Sequence, residues 1–211
     1  MRVFIAIDID DKIRKAIANL QKQIASKVSV KKGDLKWVEP NNIHLTLKFL
    51  GEISDEQVAE VSEITKTVAQ AHQKFNLEIE SVGSFGGRSV KVVWVGVSSW
   101  HGLPARENTA SPQDASRRMA VPQELLALQK DLDDLLAQAG YPKEEREFSA
   151  HLTLCRVNHP MAGIKMGEAI AQFSHLKLGL IAADALCVYQ SQLTPAGPTY
   201  TLLDEFELAQ S

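Results

Sequence analysis

Two tetrapeptides in this chain are identical: His44-Leu45-Thr46-Leu47 and His151-Leu152-Thr153-Leu154, 107 residues apart in a chain of 211 that has only six histidines. In a β-strand, residues i and i+2 share a face. His44 and Thr46 therefore point one way while Leu45 and Leu47 enter the core, and the second copy repeats the arrangement. Two such strands facing one groove would present two imidazoles and two hydroxyls. Histidine titrates near neutrality, so one ring can accept a proton from water while the other donates one to a departing oxygen. Hydroxyls and a nearby cation can hold the non-bridging oxygens of a phosphate. The pattern suits phosphate ester cleavage. Lys48 has the strand parity of His44 and Thr46 and is expected to face the groove. Arg156 also follows its motif, but parity points it away from His151 unless a bulge or strand end intervenes.

Other chemistries lack their residues. There is no His-Glu-x-x-His or Cys-x-x-Cys, a His and Thr set offers no carboxylates to a hard metal, and no metal or other cofactor is expected. Gly83-Ser84-Phe85-Gly86-Gly87 lacks the spacing and lysine of a phosphate-binding loop. Cys155 and Cys187 lie in apolar runs and read as buried thiols. His72, His101, His159 and His175 read as structural, and Phe4, Trp37 and Tyr189 as core or rim packing, with base stacking as the alternative.

The positioning elements follow from periodicity. A short β-branched run at residues 2–8 predicts a buried strand. Asp10 or Asp11 caps a helix whose apolar stripe is Ile13, Ile17, Leu20 and Ile24. Residues 27–36 read as a loop and 43–50 as a strand. Ser54 to Gln57 reads as a capping box before a helix bearing Val58, Val61, Ile64 and Val68. Strands are expected at 75–79 and 90–97, around a turn at 83–89. A helix carrying Leu125, Leu128, Leu132, Leu135 and Leu136 closes at Gly140. Strands at 148–157, 185–189 and 200–208 and a helix at 167–173 complete the chain. Strands pair between helices without regular alternation, which predicts an α+β fold with largely antiparallel sheets. The repeat predicts two pseudo-symmetric lobes flanking a central groove, helices outside, in a single domain spanning 1–211, with an irregular insertion at 98–121.

With 45% apolar residues the chain can bury a sizeable core. Its net charge of −3 excludes a protein that coats long nucleic acid, so any RNA contact is local. The early charges at the N-terminus and the lack of an apolar run of about 20 residues predict a cytoplasmic protein away from membranes.

The chain resembles the two-histidine phosphoesterase superfamily and, within it, the bacterial and archaeal RNA 2′,3′-cyclic phosphodiesterases, once called 2′-5′ RNA ligases. Met1–Asp8, Lys36–Gly51, Val93–Gly96, Phe148–Val157 and Val188–Thr201 carry the resemblance. The departure is residues 98–121, longer than the corresponding connection. The resemblance implies metal-free hydrolysis of a ribose 2′,3′-cyclic phosphate to a 2′-phosphate, on RNA ends or small cyclic nucleotides, with no obligate protein partner. It implies His44 and His151 as the catalytic pair, Thr46 and Thr153 as phosphate ligands, and Arg156 beside the phosphate. His44 is taken as the acid to O3′ and His151 as the base. A binding module without turnover, and 2′-5′ ligation at the same site, are the alternatives.

Overall fold

The computed structural model describes residues 1–99, 121–195 and 197–210. In chain order the elements are β1 (Arg2–Ile7), α1 (Asp11–Ala25), β2 (Leu35–Trp37), a 3₁₀ turn (Pro40–Asn42), β3 (Leu45–Glu52), α2 (Asp55–Ala71), β4 (Phe75–Phe85), β5 (Val92–Ser99), α3 (Gln123–Gln138), β6 (His151–Val157), α4 (Pro160–Ile170), β7 (Lys177–Ala183), β8 (Ala185–Thr194) and β9 (Gly197–Glu207). The fold is α+β, as expected.

Local chemistry sets the helix ends. The Asp10 carboxylate accepts from Ile13 N at 2.7 Å and starts α1. Ser54 and Gln57 form the reciprocal capping box of α2, with Gln57 N to Ser54 Oγ at 3.3 Å and Ser54 N to Gln57 Oε1 at 2.9 Å. α3 ends at Gly140, whose φ of +94° few other residues adopt. The predicted stripes are buried: Ile13, Ile17, Leu20 and Ile24 on α1, and Leu125, Leu128, Leu132 and Leu136 on α3. Each such side chain contributes roughly 1.5–3 kcal/mol of burial free energy.

The strands form two antiparallel sheets, ordered β3-β1-β8-β9 and β2-β6-β5-β4-β7. The two motif strands hold equivalent places: β3 begins the first sheet, and β6 begins the matching run β6-β5-β4-β7 of the second, with short β2 added outside it. Helices α2 and α3 pack on the first sheet, and α1 and α4 on the second. Each sheet thus combines strands from both halves of the chain and is covered by one helix from each half.

Several elements differ from the sequence reading. β2 lies in the segment read as loop; it is a three-residue edge strand, too short to show alternation. β7 was not anticipated, because Gly179 and its half-exposed flanks hide the period. α4 starts at Pro160 rather than 167, with His159 as its cap accepting from Met161 N. β4 runs on to Phe85 and β8 on to Thr194, lengthening both beyond their apolar cores. β5 extends to Ser99, so the start of the expected insertion is strand; residues 100–120, His101 among them, lie outside the described set. No helix among the described residues is long and apolar enough to cross a membrane.

Candidate active site

The two motifs sit on their strands as parity requires, then depart from it at the same point. Ile43, Leu45 and Leu47 are buried while His44 and Thr46 are half-buried on the opposite face. Leu152 and Leu154 are fully buried while His151 and Thr153 are half-buried. On β3, Thr46 pairs with Ala6 but Lys48 pairs with Ile5, leaving Leu47 as an extra residue. On β6, Thr153 pairs with Trp94 but Cys155 pairs with Val93, leaving Leu154 as an extra residue. Each motif therefore ends in a bulge at its second leucine, which reverses the facing of the residues after it. The bulge in β6 is held by the residue after β2 and by α1: Leu154 O accepts from Val38 N at 2.9 Å and from Gln21 Nε2 at 3.1 Å. Gln21 is itself buried and also donates to Val38 O at 2.7 Å.

This corrects the assignment of Lys48. The bulge turns it off the site face; it is 3% exposed, and its ammonium is bound by the Asp133 carboxylate and the Pro142 carbonyl. Phe49 returns to the site face instead, paired with Phe4. The same bulge brings Arg156 onto the face of Thr153 and Trp94, paired with Val92. Lys48 thus corresponds to Cys155, and Phe49 to Arg156. Cys155 is fully buried, and burial pushes its thiol up to about 12, so no thiolate is available near neutrality.

The two imidazoles lie over the same position relative to their strands. His151 Nδ1 lies 2.7 Å from Ser149 O, two positions earlier, and the backbone of Asn42, two positions before His44, favours protonation of that ring. At His151 this fixes the Nδ1–H tautomer and leaves Nε2 unprotonated for chemistry. Rings complete both settings. Phe4 stacks on His44 at 4.5 Å and 22°, Tyr189 stacks behind Phe4, and Tyr200 meets His44 edge-on at 5.2 Å. Phe85 meets His151 edge-on at 5.1 Å, with Trp94 beyond at 6.4 Å. Trp94 lies flat on Gly83, where a Cβ would come within 2.2 Å of its ring. Its buried Nε1 has no partner among the described residues.

Burial lowers the pKa of both histidines, His44 to about 4. The neighbouring charges differ in sign. The Asp8 carboxylate raises His44, partly opposed by Arg14, whereas Arg156 lowers His151. Arg14 ties this corner together: its guanidinium donates to Asp8 Oδ1 at 2.6 Å and to the carbonyls of Ile9, Pro40 and Ile43. Asp8 Oδ2 also accepts from Tyr189 Oη at 3.3 Å. The two motif strands, β3 and β6, lie against each other, and the Arg156 charge lowers the pKa of both His151 and Tyr200, the ring on the edge of His44. Of the aromatics considered from sequence, Phe4 and Tyr189 line the His44 side, while Trp37 packs against the core. His72 pairs with Asp131 at 2.9 Å and is structural, like the capping His159.

A family model described as LigT like phosphoesterase matches residues 7–95 and 119–200. The chain belongs to the LigT-like phosphoesterases. An RNA 2′,3′-cyclic phosphodiesterase of Archaeoglobus fulgidus is 31% identical over 208 residues, covering 98% of this chain and 100% of that one. One of Methanothermobacter thermautotrophicus is 28% identical over 209 residues and 99% of each chain. The crystal structure of TT0787 of Thermus thermophilus superposes with a TM-score of 0.74 at 21% identity, covering 100% of this chain and 99% of that one, which speaks to the fold.

For this LigT-like protein the structure brings His44, Thr46, His151, Thr153 and Arg156 to the site faces and removes Lys48. The sequence reading did not include Phe49, Asp8, Arg14, Tyr200, Phe85 and Trp94. Phe49 was within reach: aligning His-Leu-Thr-Leu-Lys-Phe with His-Leu-Thr-Leu-Cys-Arg position by position, rather than by charge, pairs it with Arg156.

Proposed function

We propose that this LigT-like phosphoesterase hydrolyses the 2′,3′-cyclic phosphate ends of RNA to 2′-phosphates by proton transfer between His44 and His151, without a metal. The carrying observation is that both His-Leu-Thr-Leu motifs lie on antiparallel strands with imidazole and hydroxyl on one face, leucines in the core and a bulge at the second leucine. The curated relatives named RNA 2′,3′-cyclic phosphodiesterase, aligned over nearly the whole chain, support the substrate class.

In this reading His151 Nε2 takes a proton from water as its oxygen attacks phosphorus. The P–O3′ bond breaks, and His44, as imidazolium, gives its proton to O3′. The products are a 2′-phosphate monoester and a free 3′-hydroxyl. Thr46 and Thr153 donate to the non-bridging oxygens, and Arg156 offsets the charge that grows on them. The signs of the neighbouring charges favour this order. Asp8 stabilises an imidazolium at His44, and Arg156 opposes one at His151. In the free protein burial keeps both rings neutral near pH 7. The bound phosphate supplies the negative charge that lets His44 hold a proton.

The test is a digest of an oligonucleotide ending in 2′,3′-cyclic phosphate, in EDTA, with analysis of the product end. Conversion to a 2′-phosphate is expected. A 3′-phosphate product, or activity that needs an added divalent ion, would overturn the mechanism. Tight binding without conversion would indicate a binding module.

A further inference from the structure

The two sheets do not match at their edges. In the first, the motif strand β3 is outermost; in the second, β2 is added beyond the motif strand β6. Of the three residues of β2, Leu35 and Trp37 pack against the core and Lys36 alone is exposed. Lys36 is paired with Arg156, and Arg156 with Val92. Residues directly opposite on adjacent strands share a face, with Cβ atoms about 4.5–5.5 Å apart. Lys36 therefore stands beside Arg156 on the face that carries His151 and Thr153.

The backbone of Lys36 is fixed from both ends of β2. Val38 N donates to Leu154 O at 2.9 Å, and Asn158 N donates to Asp34 O at 2.8 Å. Asn158 Nδ2 adds a bond to Gly33 O at 3.0 Å. The ammonium, by contrast, is uncommitted. Among the described residues neither Lys36 nor Arg156 has a side-chain hydrogen bond or ion pair. The preceding acid, Asp34, turns its carboxylate back to accept from Lys31 N at 3.1 Å. Residues 27–36 hold four lysines and one acid in a chain of net charge −3, so positive charge is concentrated at this edge.

The same face carries the opposite sign in the other direction. His151 pairs with Gly96, and Gly96 with Glu80; the next pair on that face is Ser98 with Glu78. The two carboxylates share one ammonium, that of Lys177, at 3.6 and 2.8 Å. An anionic chain leaving His151 is therefore attracted towards β2 and repelled towards β4.

We propose that Lys36 binds the internucleotide phosphate on the 5′ side of the terminal nucleoside, next to the cyclic phosphate held by Arg156, so that the RNA leaves the site over β2. The proposal rests on the cyclic phosphodiesterase reading above and adds the path of the rest of the substrate. A contact to phosphate positions the chain and carries no sequence preference. It also makes an RNA end a better substrate than a mononucleotide, without the basic excess of a protein that coats long nucleic acid.

The experiment compares wild type, Lys36→Gln and Lys36→Arg on two substrates that differ in one charge. Both are adenylyl-adenosine ending in 2′,3′-cyclic phosphate; one has a phosphodiester link and the other an uncharged methylphosphonate link. In wild type at low salt the diester has the higher kcat/KM, through a lower KM. In Lys36→Gln the ratio of the two kcat/KM values falls about three- to tenfold, the scale of one exposed charge-assisted contact, and Lys36→Arg keeps it. Added salt narrows the ratio in wild type and has less effect on it in Lys36→Gln. Equal kcat/KM for the two substrates in wild type overturns the proposal. So does an equal loss on both in Lys36→Gln, which would place Lys36 at the cyclic phosphate instead. Calorimetric binding of the two corresponding 2′-phosphate products gives a readout independent of turnover, with the same preference and the same dependence on Lys36 expected. If wild type cleaves neither cyclic substrate yet keeps that binding pattern, the hydrolytic reading fails and the subsite stands.

Discussion

Replacing Lys48 by methionine separates its two candidate roles. The Nζ sits in a 3% exposed position between the Asp133 carboxylate and the Pro142 carbonyl. Methionine keeps most of the volume and removes the charge. The Asp133 carboxylate, 14% exposed, is then left without its ammonium. Removing one partner of a buried pair costs about 3–5 kcal/mol, and the residual exposure of Asp133 argues for the lower end. In a chain of this size each kcal/mol moves Tm by about 2–4 °C, so a fall of about 6–12 °C is expected. Lys48→Met/Asp133→Leu, which removes both charges, should recover most of that loss. Because Lys48 lies off the site face, kcat/KM measured well below the melting temperature should stay within about threefold of wild type, the scale expected when no reacting group is touched. Calorimetric melting and steady-state kinetics on the same preparations decide the matter. An unchanged Tm together with a large loss of kcat/KM would refute the reasoning and return Lys48 to the phosphate.

The order of proton transfer predicts a divergence between the histidine variants. His44→Ala and His151→Ala should each lose about 10²–10⁴-fold in turnover on the normal substrate. With sulfur in place of O3′, a leaving group that needs no proton, only His44→Ala should return towards the wild-type rate; rescue of His151→Ala instead would reverse the assignment. A second prediction concerns stability in acid. His44 binds its proton at about pH 4 in the folded protein against 6.5 ordinarily. Between those values the unfolded chain holds more protons, so stability falls as pH drops through this window, by at most roughly 3 kcal/mol from this ring. Urea unfolding at pH 7 and pH 4.5 should show a smaller loss for His44→Asn than for wild type, and identical losses would show that the ring is not held neutral by burial.

The repeated tetrapeptide was legible because strand parity and the identity of its residues are local properties. The bulges were not. An extra residue arises from how two strands align, and Leu47 and Leu154 are as apolar as any regular core residue. In the first motif the sequence even mimics an unbroken strand, since His44, Thr46 and Lys48 alternate cleanly with leucine. In the second, Cys155 and Arg156 do not continue the alternation, and that irregularity was the visible trace of the bulge. The carbonyl of Ser149, which accepts from His151, left no trace at all, because every residue has one and only the chain path selects it. β2 and β7 were hidden for related reasons, a three-residue edge and a strand interrupted by Gly179, where pairing partners rather than period define the element.

In the proposed mechanism the bulge also accounts for how two near-identical motifs would perform different halves of one reaction. Identity through His-Leu-Thr-Leu supplies two equivalent proton carriers and two equivalent hydroxyls. The extra leucine then turns the next residue inward, where Lys48 and Cys155 serve the core by different means. The residue after that returns to the face of the histidine and threonine, and there the copies have diverged into a ring and a cation. In that mechanism the Asp8 charge beside His44 and the Arg156 charge beside His151 would suit one end of the groove to hold a proton and the other to remove one.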